Sequence, residues 1–304
     1  MKLMQINLFP SLSSRLNVPR GKASSSLSGS RSRGGFSLIE LLVVIAIIGA
    51  FGGLAYAMGH SASGTARRTK EIAAGRNLAT AYQVYANENG GRYMLGYDRN
   101  AQSVALPNRT VSFMEAPVRY PWRIVPYLEY NLEGTILLNG NEEQIEEVFG
   151  DRGSLYDYGV SLRPALGMND FFVGGIAMSR DGSLEPSQRG EVIQTLANFE
   201  RIIVFASAGQ REINIHGEYS PEEMVGYYRV TAPNCPIGTE WPAEGPVENI
   251  PPLHGNVSFR HGGKAVCAFL DGSVETLGID ELRDMRLWSR NAVRSDLADY
   301  QPNQ

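Results

Sequence analysis

The stretch Arg31-Ser-Arg-Gly-Gly-Phe-Ser-Leu-Ile-Glu-Leu-Leu-Val-Val-Ile-Ala-Ile-Ile-Gly49 decides how this chain is organised. A basic segment ends at Gly35, and an apolar segment begins at Phe36 and contains a single acidic residue, Glu40. A carboxylate inside an apolar segment of membrane length costs about 2.5–3.5 kcal/mol on insertion scales. Glu40 therefore needs a specific role that outweighs this cost.

The apolar segment is long enough to cross a membrane. Residues 36–58 would span roughly 34 Å as a helix, whereas the hydrocarbon core of a bilayer is about 30 Å thick. Residues 1–35 contain six Lys or Arg residues and no Asp or Glu. The positive-inside rule therefore predicts a cytoplasmic basic leader at 1–35, a transmembrane segment at 36–59 and export of the residues that follow.

The junction between Gly35 and Phe36, with Glu40 at the fifth position after it, resembles the leader of type IV prepilins and type II secretion pseudopilins. The resemblance implies that a prepilin peptidase cuts after Gly35 and that the new amino group of Phe36 is methylated. It also implies an assembly role for Glu40, whose carboxylate would pair with the N-terminal amine of a neighbouring subunit in an apolar bundle. The implied partners are this peptidase and methylase, other pilin or pseudopilin subunits and the inner-membrane assembly platform.

Two other interpretations compete for this segment. An ordinary secretory signal peptide has an apolar region of about 7–15 residues before a small-x-small cleavage site, and Ala55-Tyr-Ala57 would provide such a site. The apolar run here is longer than that, and this interpretation leaves Glu40 unexplained. A plain membrane anchor explains the length but not the Gly-Phe junction with its glutamate.

The helix is predicted to continue beyond the membrane. No Pro interrupts residues 65–89, apolar residues recur there near helical spacing, and Asn89-Gly90-Gly91 is a stop signal. Residues 60–90 are then the exported half of a pilin-type helix, and residues 91–304 form an exported globular domain. The predicted fold class is α+β, with this long helix packed on an antiparallel β-sheet.

A second informative pattern lies at residues 256–277. Val257 and Phe259 alternate with polar residues, a His-Gly-Gly turn signal follows at 261–263, and Asp271-Gly272 is a two-residue hairpin signal between alternating apolar residues. The pattern predicts a β-meander of three strands.

The roles of His261 and Asp271 follow from this prediction. One extended strand between them would separate them by about 30 Å, at roughly 3.3 Å per residue, which argues against one metal or catalytic site. We therefore predict a structural turn motif, in which Gly262, Gly263 and Gly272 supply the turn dihedrals while His261 and Asp271 hydrogen-bond turn backbone.

The same spacing, His261 followed after nine residues by Asp271-Gly272, resembles the H-X9-DG domain of prepilin-type proteins. That family is abundant in Planctomycetes, Verrucomicrobia and Lentisphaerae. Its members often carry a histidine after Asp-Gly, where this chain has Ser273, which weakens a two-histidine metal site. Residues 120–128 and 167–169 resemble further segments of the same family.

Charge and motif content exclude several functions. The formal net charge is −4, and removal of the six basic leader residues changes it to −10, which argues against a nucleic-acid surface. The chain has no Gly-x-Ser-x-Gly, His-Glu-x-x-His or phosphate-loop motif, so we predict no enzyme, no cofactor, no metal and no small-molecule substrate. Residues 151–157 lack EF-hand spacing and are predicted to form a solvated loop.

The two cysteines, Cys235 and Cys267, both lie in the part predicted to be exported, where disulfides persist. A bridge between them is one interpretation. Cys267 also lies in a strand-like run, where it could equally be a buried apolar side chain.

Three functional hypotheses follow. The leading one is a structural pilin or pseudopilin subunit that assembles into a type II secretion pseudopilus or a type IV pilus-like filament. The second is an exported module that binds cargo, polysaccharide or a surface and uses the helix as an anchor. The third is a cell-surface enzyme on the same anchor.

Overall fold

The computed structural model describes residues 37–196, 201–212, 220, 222–238, 240–243 and 249–302, without the side chains of residues 53–62. The predicted leader, including Gly35, and the first residue of the apolar segment, Phe36, lie outside these residues. The chain divides into two compact units, Met1–Leu54 and Ala55–Gln304.

The described residues form helices and strands in an α+β arrangement. The helices are α1 (Leu38–Glu88), α2 (Tyr120–Ile124), α3 (Asn141–Phe149), α4 (Gly153–Leu162), α5 (Ile279–Leu282) and α6 (Arg290–Ser295), with 3-10 turns at Val125–Leu128, Pro186–Gln188, Pro251–His254 and Met285–Leu287. The strands are β1 (Tyr97–Asp98), β2 (Val104–Leu106), β3 (Arg109–Val111), β4 (Leu166–Met168), β5 (Ile176–Ala177), β6 (Ile203–Ser207), β7 (Gly209–Gln210), β8 (Met224–Val225), β9 (Lys264–Phe269) and β10 (Val274–Gly278).

The main sheet is antiparallel, with the strand order β10-β9-β6-β4. Every residue of β6 is buried, because the sheet is covered on both faces. Strands β9 and β10 form the hairpin predicted around Asp271-Gly272, with Cys267 opposite Glu275. These features confirm the predicted α+β class with a long N-terminal helix and antiparallel sheets.

In the first unit, α1 carries a run of exposed apolar side chains. Leu38 is 83% exposed, Ile39 71% and Phe51 68%. Among the described residues, none of the helices combines the length and the apolar character that crossing a membrane requires. Phe36 and the side chains of residues 53–59, which belong to the predicted transmembrane segment, lie outside the described residues.

In the second unit, α1 packs its apolar face against the main sheet. Ala74, Leu78 and Tyr82 are buried at helical spacing, and the Tyr82 ring meets Phe205 of β6 edge to face at 5.7 Å. A side chain on Gly75 would touch Ala268 of β9 at 3.4 Å, so the helix and the sheet approach closely there.

Helix α1 ends at the predicted stop signal. Gly90 and Gly91 have φ values of +66° and +79°, which is the left-handed region that glycine enters without a Cβ penalty. The Gly91 N–H donates to the carbonyl of Ala86 at 2.8 Å and so caps a carbonyl of the last turn.

The meander prediction was wrong in its first strand. Val257 makes only an isolated bridge to Ala208, and residues 256–260 belong to no strand. The loop prediction for residues 151–157 was also wrong, because α4 begins at Gly153 and Asp157 is buried. Asp157 pairs with Arg109, a partner 48 residues away that no local pattern indicates.

Candidate functional site

Glu71, a fully buried carboxylate on α1, is the centre of a hydrogen-bonded cluster in the second unit. Arg260 donates to it from Nη2 at 2.7 Å and from Nε at 3.1 Å, and His261 Nε2 lies 3.0 Å from the same carboxylate. The hydroxyl of Ser207 and the side-chain amide of Asn139 also donate to it. We call these five side chains the Glu71 cluster.

Local structure explains how these side chains meet. Glu71 lies one helical turn before Ala74 and Gly75, so it shares the face of α1 that packs on the sheet. Ser207 is the last residue of β6, and Arg260 and His261 lie just before the two-glycine turn that leads into β9. The turn after His261 is tight because Gly262 and Gly263 have φ values of +66° and +80°.

The charges of the cluster are compensated. Besides Glu71, the Arg260 guanidinium donates to the carbonyls of Ala208 at 2.7 Å and Ala165 at 2.8 Å. Burial alone would raise the pKa of Glu71, but the charge of Arg260 and the hydrogen bonds from His261 and Ser207 lower it from about 4.5 to about 2. The buried ion pair and its hydrogen bonds therefore connect α1 to the end of β6 and to the turn that precedes β9.

We predict that the stability of the second unit falls in acid because of Glu71. Its pKa is lower in the folded chain than in the unfolded chain, so its contribution is fully present above about pH 4.5 and is lost as the pH falls towards 2. The contribution is on the order of 3 kcal/mol at neutral pH. Urea unfolding of the wild type between pH 6 and pH 3 should show this loss, and Glu71→Gln should show a shallower pH dependence. Equal slopes for the two proteins would contradict the assignment.

His261 and Asp271 lie at opposite ends of β9 and form no joint site. The His261 N–H donates to the carbonyl of Lys264 at 3.1 Å, and its side chain contacts Glu71, a partner that the sequence did not indicate. The carboxylate of Asp271 accepts from the N–H of Ser273 at 2.8 Å and from its hydroxyl at 2.6 Å. Gly272 closes this second turn through its N–H, which donates to Phe269.

Glu40 is located at the start of α1, in the first unit. Its carboxylate accepts the N–H of Ser37 at 2.9 Å, and the Ser37 hydroxyl accepts the N–H of Glu40 at 3.4 Å. This reciprocal pair is a capping box, a helix-start motif that the spacing Ser-x-x-Glu permits. Glu40 therefore has a local helix-capping role that our sequence interpretation did not include.

The cysteine bridge is not formed. Cys235 and Cys267 are both free, and Cys267 is buried in the middle of β9, where burial raises the pKa of its thiol. Cys267 is therefore a buried residue of the sheet, as the alternative interpretation from sequence had it. No group of three or more His, Cys, Asp or Glu side chains within the described residues is arranged to hold a metal ion.

The other two segments singled out in the sequence have packing roles. Trp122 of α2 is buried and donates its indole N–H to the carbonyl of Asp157 at 2.8 Å. A Cβ on Gly167 would lie 2.7 Å from the carbonyl oxygen of Tyr227, and Asn169 donates to the carbonyls of Ile203 and Trp288. The first segment therefore packs against α4, and the second connects β4 to β6 and to the carbonyl of Trp288.

Glu71, Arg260, Ser207 and Asn139 were absent from the sequence-based predictions. One signal was present for Glu71, because a carboxylate on the apolar face of a helix requires a partner. Nothing local indicates that the partner is the residue before His261, 189 positions later.

The similarity of this chain to a known protein family lies near its N-terminus. Residues 30–56 match the family model of the prokaryotic N-terminal methylation motif. The match confirms the pilin-like leader predicted from the junction of Gly35 and Phe36, and this motif points to a structural subunit rather than an enzyme. It does not extend to residues 256–277. Neither the curated proteins nor the solved structures include a match to the chain.

Proposed function

We propose that this chain is a structural pilin or pseudopilin-like subunit. In this proposal a prepilin peptidase cuts between Gly35 and Phe36, Phe36 is methylated, and the subunit joins others in a type II secretion pseudopilus or a type IV pilus-like filament. The match of residues 30–56 to the methylation motif is the observation that carries it. The role is mechanical and not enzymatic, and the inner-membrane assembly platform supplies the work.

The surface of α1 in the first unit supports a membrane or filament environment. Leu38, Ile39, Ile48 and Phe51 are each more than 60% exposed and lie on different sides of the helix. A helix that is apolar all round requires apolar surroundings, either lipid or neighbouring helices. We infer that residues 36–59 anchor the newly made subunit in the inner membrane, with a cytoplasmic N-terminus and an exported C-terminal domain.

The Glu71 cluster supports a mechanical role for the second unit. A subunit that is moved by its helix must carry its globular domain with it. The cluster joins α1 to β6 and to the turn before β9 through a buried ion pair, so the helix and the sheet move together. Breaking such a pair is far more costly than breaking a surface pair.

The processing step is directly testable. We expect N-terminal sequencing and mass analysis of the membrane-extracted protein to begin at methylated Phe36. Gly35→Leu should leave the protein uncleaved, with the leader still attached, while the matched change Gly34→Leu should affect cleavage less. A mature N-terminus at Met58 would instead indicate ordinary signal peptidase and would overturn the proposal.

A second candidate function is an exported binding module on the same anchor. A cleft in the second unit, beside the C-terminal end of α1, favours this binding function.

A further inference from the structure

A cleft of about 510 Å³ lies entirely within the second unit, beside the C-terminal end of α1. We call it the Arg123 cleft, and its polar lining consists mainly of Tyr85, Asn89, Arg92, Asp98, Arg123 and Gln194. Its volume falls in the range of small-molecule sites, about 300–1,000 Å³. Neither the Glu71 cluster nor the proposed assembly role uses it.

The floor of the cleft holds a guanidinium that forms no ion pair with any side chain in the described part of the chain. Arg123 Nη2 donates to the carbonyls of Leu95 at 2.6 Å and Val118 at 3.0 Å, while its Nε is buried and has no hydrogen-bond partner among the residues that the structure describes. None of the ion pairs found among the described residues includes Arg123. Burial lowers the pKa of Arg123, and the more distant Asp98 only partly offsets this. A cation in this position is ready to bind an anionic group.

The walls of the cleft are held in place by backbone hydrogen bonds. The N–H of Tyr93 donates to the carbonyl of Gln194 at 2.8 Å, and the N–H of Leu196 donates to that of Gly91 at 2.8 Å. The Tyr85 ring is fixed by an edge contact with Tyr127 at a centroid distance of 5.4 Å. The site is therefore formed before any ligand arrives, which reduces the entropy lost on binding.

The other residues that line the cleft restrict the class of ligand that it can bind. Arg92, Asn89 and Gln194 are exposed at the rim, and their side chains supply both donors and acceptors for hydroxyl groups. The partly buried Tyr85 offers an apolar ring surface. Asp98 places a negative charge at the cleft. Its repulsion disfavours the binding of a phosphate dianion or of several acidic groups, whereas the binding of a single carboxylate is compatible with it.

We propose that the Arg123 cleft binds an acidic saccharide, with the sugar carboxylate on Arg123 and Arg92 and the ring against Tyr85. Asn89 and Gln194 hydrogen-bond the ring hydroxyls. This goes beyond the structural role, because it concerns the second unit alone and does not depend on leader processing or filament assembly. Failure of one proposal would leave the other intact.

The test is isothermal titration of the full chain in detergent micelles with an acidic trisaccharide of two galactose residues and one terminal galacturonic acid, which carries a single carboxylate. The neutral galactose trisaccharide is the matched ligand, and a Glu-Glu-Glu tripeptide is the competing class. We expect the acidic trisaccharide to bind at least tenfold more tightly than either, and its affinity to fall as salt concentration rises.

Substitutions of residues that line the cleft test the proposed contacts with the ligand. Arg92→Ala and Gln194→Ala, both at exposed positions, should each weaken binding at least fivefold without affecting folding. Arg123→Lys keeps the charge but not the planar fork and should weaken it further. Arg189→Ala, an exposed arginine outside the cleft, should have no effect. Equal binding of the neutral sugar or of the tripeptide, or an unchanged affinity in Arg92→Ala, would overturn the proposal.

Discussion

Arg260→Ala is expected to lower the free energy of unfolding of the second unit by about 3–5 kcal/mol at pH 7. The reason is that Glu71 would remain fully buried without the guanidinium that compensates its charge. The carbonyls of Ala208 and Ala165 would lose a donor in the same change. Urea unfolding of the full chain in detergent, followed by the fluorescence of the buried Trp122 and Trp288, would measure the effect.

The matched control is Arg201→Ala. Arg201 also forms an ion pair with a carboxylate, Glu275, but the two side chains are 51% and 44% exposed. Surface pairs of this kind contribute about 0–1 kcal/mol. If Arg260→Ala were as mild as Arg201→Ala, the Glu71 cluster would not be the link between α1 and the sheet.

A double variant separates the cost of an unpaired charge from the value of the pair. Glu71→Leu combined with Arg260→Met replaces both charges by apolar side chains of similar length. We expect this double variant to be clearly more stable than Arg260→Ala, because the fully buried carboxylate is removed together with its partner. Glu223, which lies 3.8 Å from Arg260, keeps its hydrogen bonds from Asn249 and Ser258. A double variant less stable than Arg260→Ala would indicate that hydrogen bonds, and not charge compensation, dominate at this site.

Substitution of Glu40 is expected to reduce filament incorporation at least tenfold, equivalent to about 1.4 kcal/mol per subunit contact. The proposed pairing with the N-terminal amine of a neighbour requires the negative charge, whereas the capping box requires only an acceptor. Glu40→Gln keeps an acceptor for the Ser37 N–H, and Glu40→Ala removes both the acceptor and the charge. The ratio of sheared-filament protein to membrane protein would measure incorporation.

The two Glu40 variants therefore distinguish the two roles of this residue. If charge pairing drives assembly, both variants remain in the membrane and both are lost from filaments. If capping alone matters, Glu40→Gln incorporates like the wild type, and the pairing argument fails. Glu88→Gln, at the exposed C-terminal end of the same helix, is the control for loss of one negative charge.

The features that were predictable from sequence are those with local causes. The course of α1 followed from its period and from the absence of Pro, and its end followed from two glycines that adopt positive φ. The β9–β10 hairpin followed from alternation around Asp271-Gly272. In each case the residues that specify the element are the residues that form it.

The features that the sequence did not predict, or left open, have distant causes. Residues 151–157 looked like a solvated loop because the arginine that pairs with Asp157 lies in β3. The side chain of His261 was assigned to its own turn because nothing near it in sequence points to α1. The cysteine bridge was left open because spacing alone does not place two thiols in space.

By itself, the sequence determined the pilin-like leader motif, the long helix with Glu40 near its start, and the turns that end α1 and connect β9 to β10. Periodicity, charge and turn chemistry act over a few residues, so the local sequence is sufficient to specify these features. Only the tertiary structure decided which groups compensate Glu71, since Ser207 and Arg260 lie 136 and 189 positions away. It also decided that Arg123 lies at the floor of a cleft with no ion-pair partner among the described residues, because charge compensation depends on what the folded chain brings within hydrogen-bonding distance.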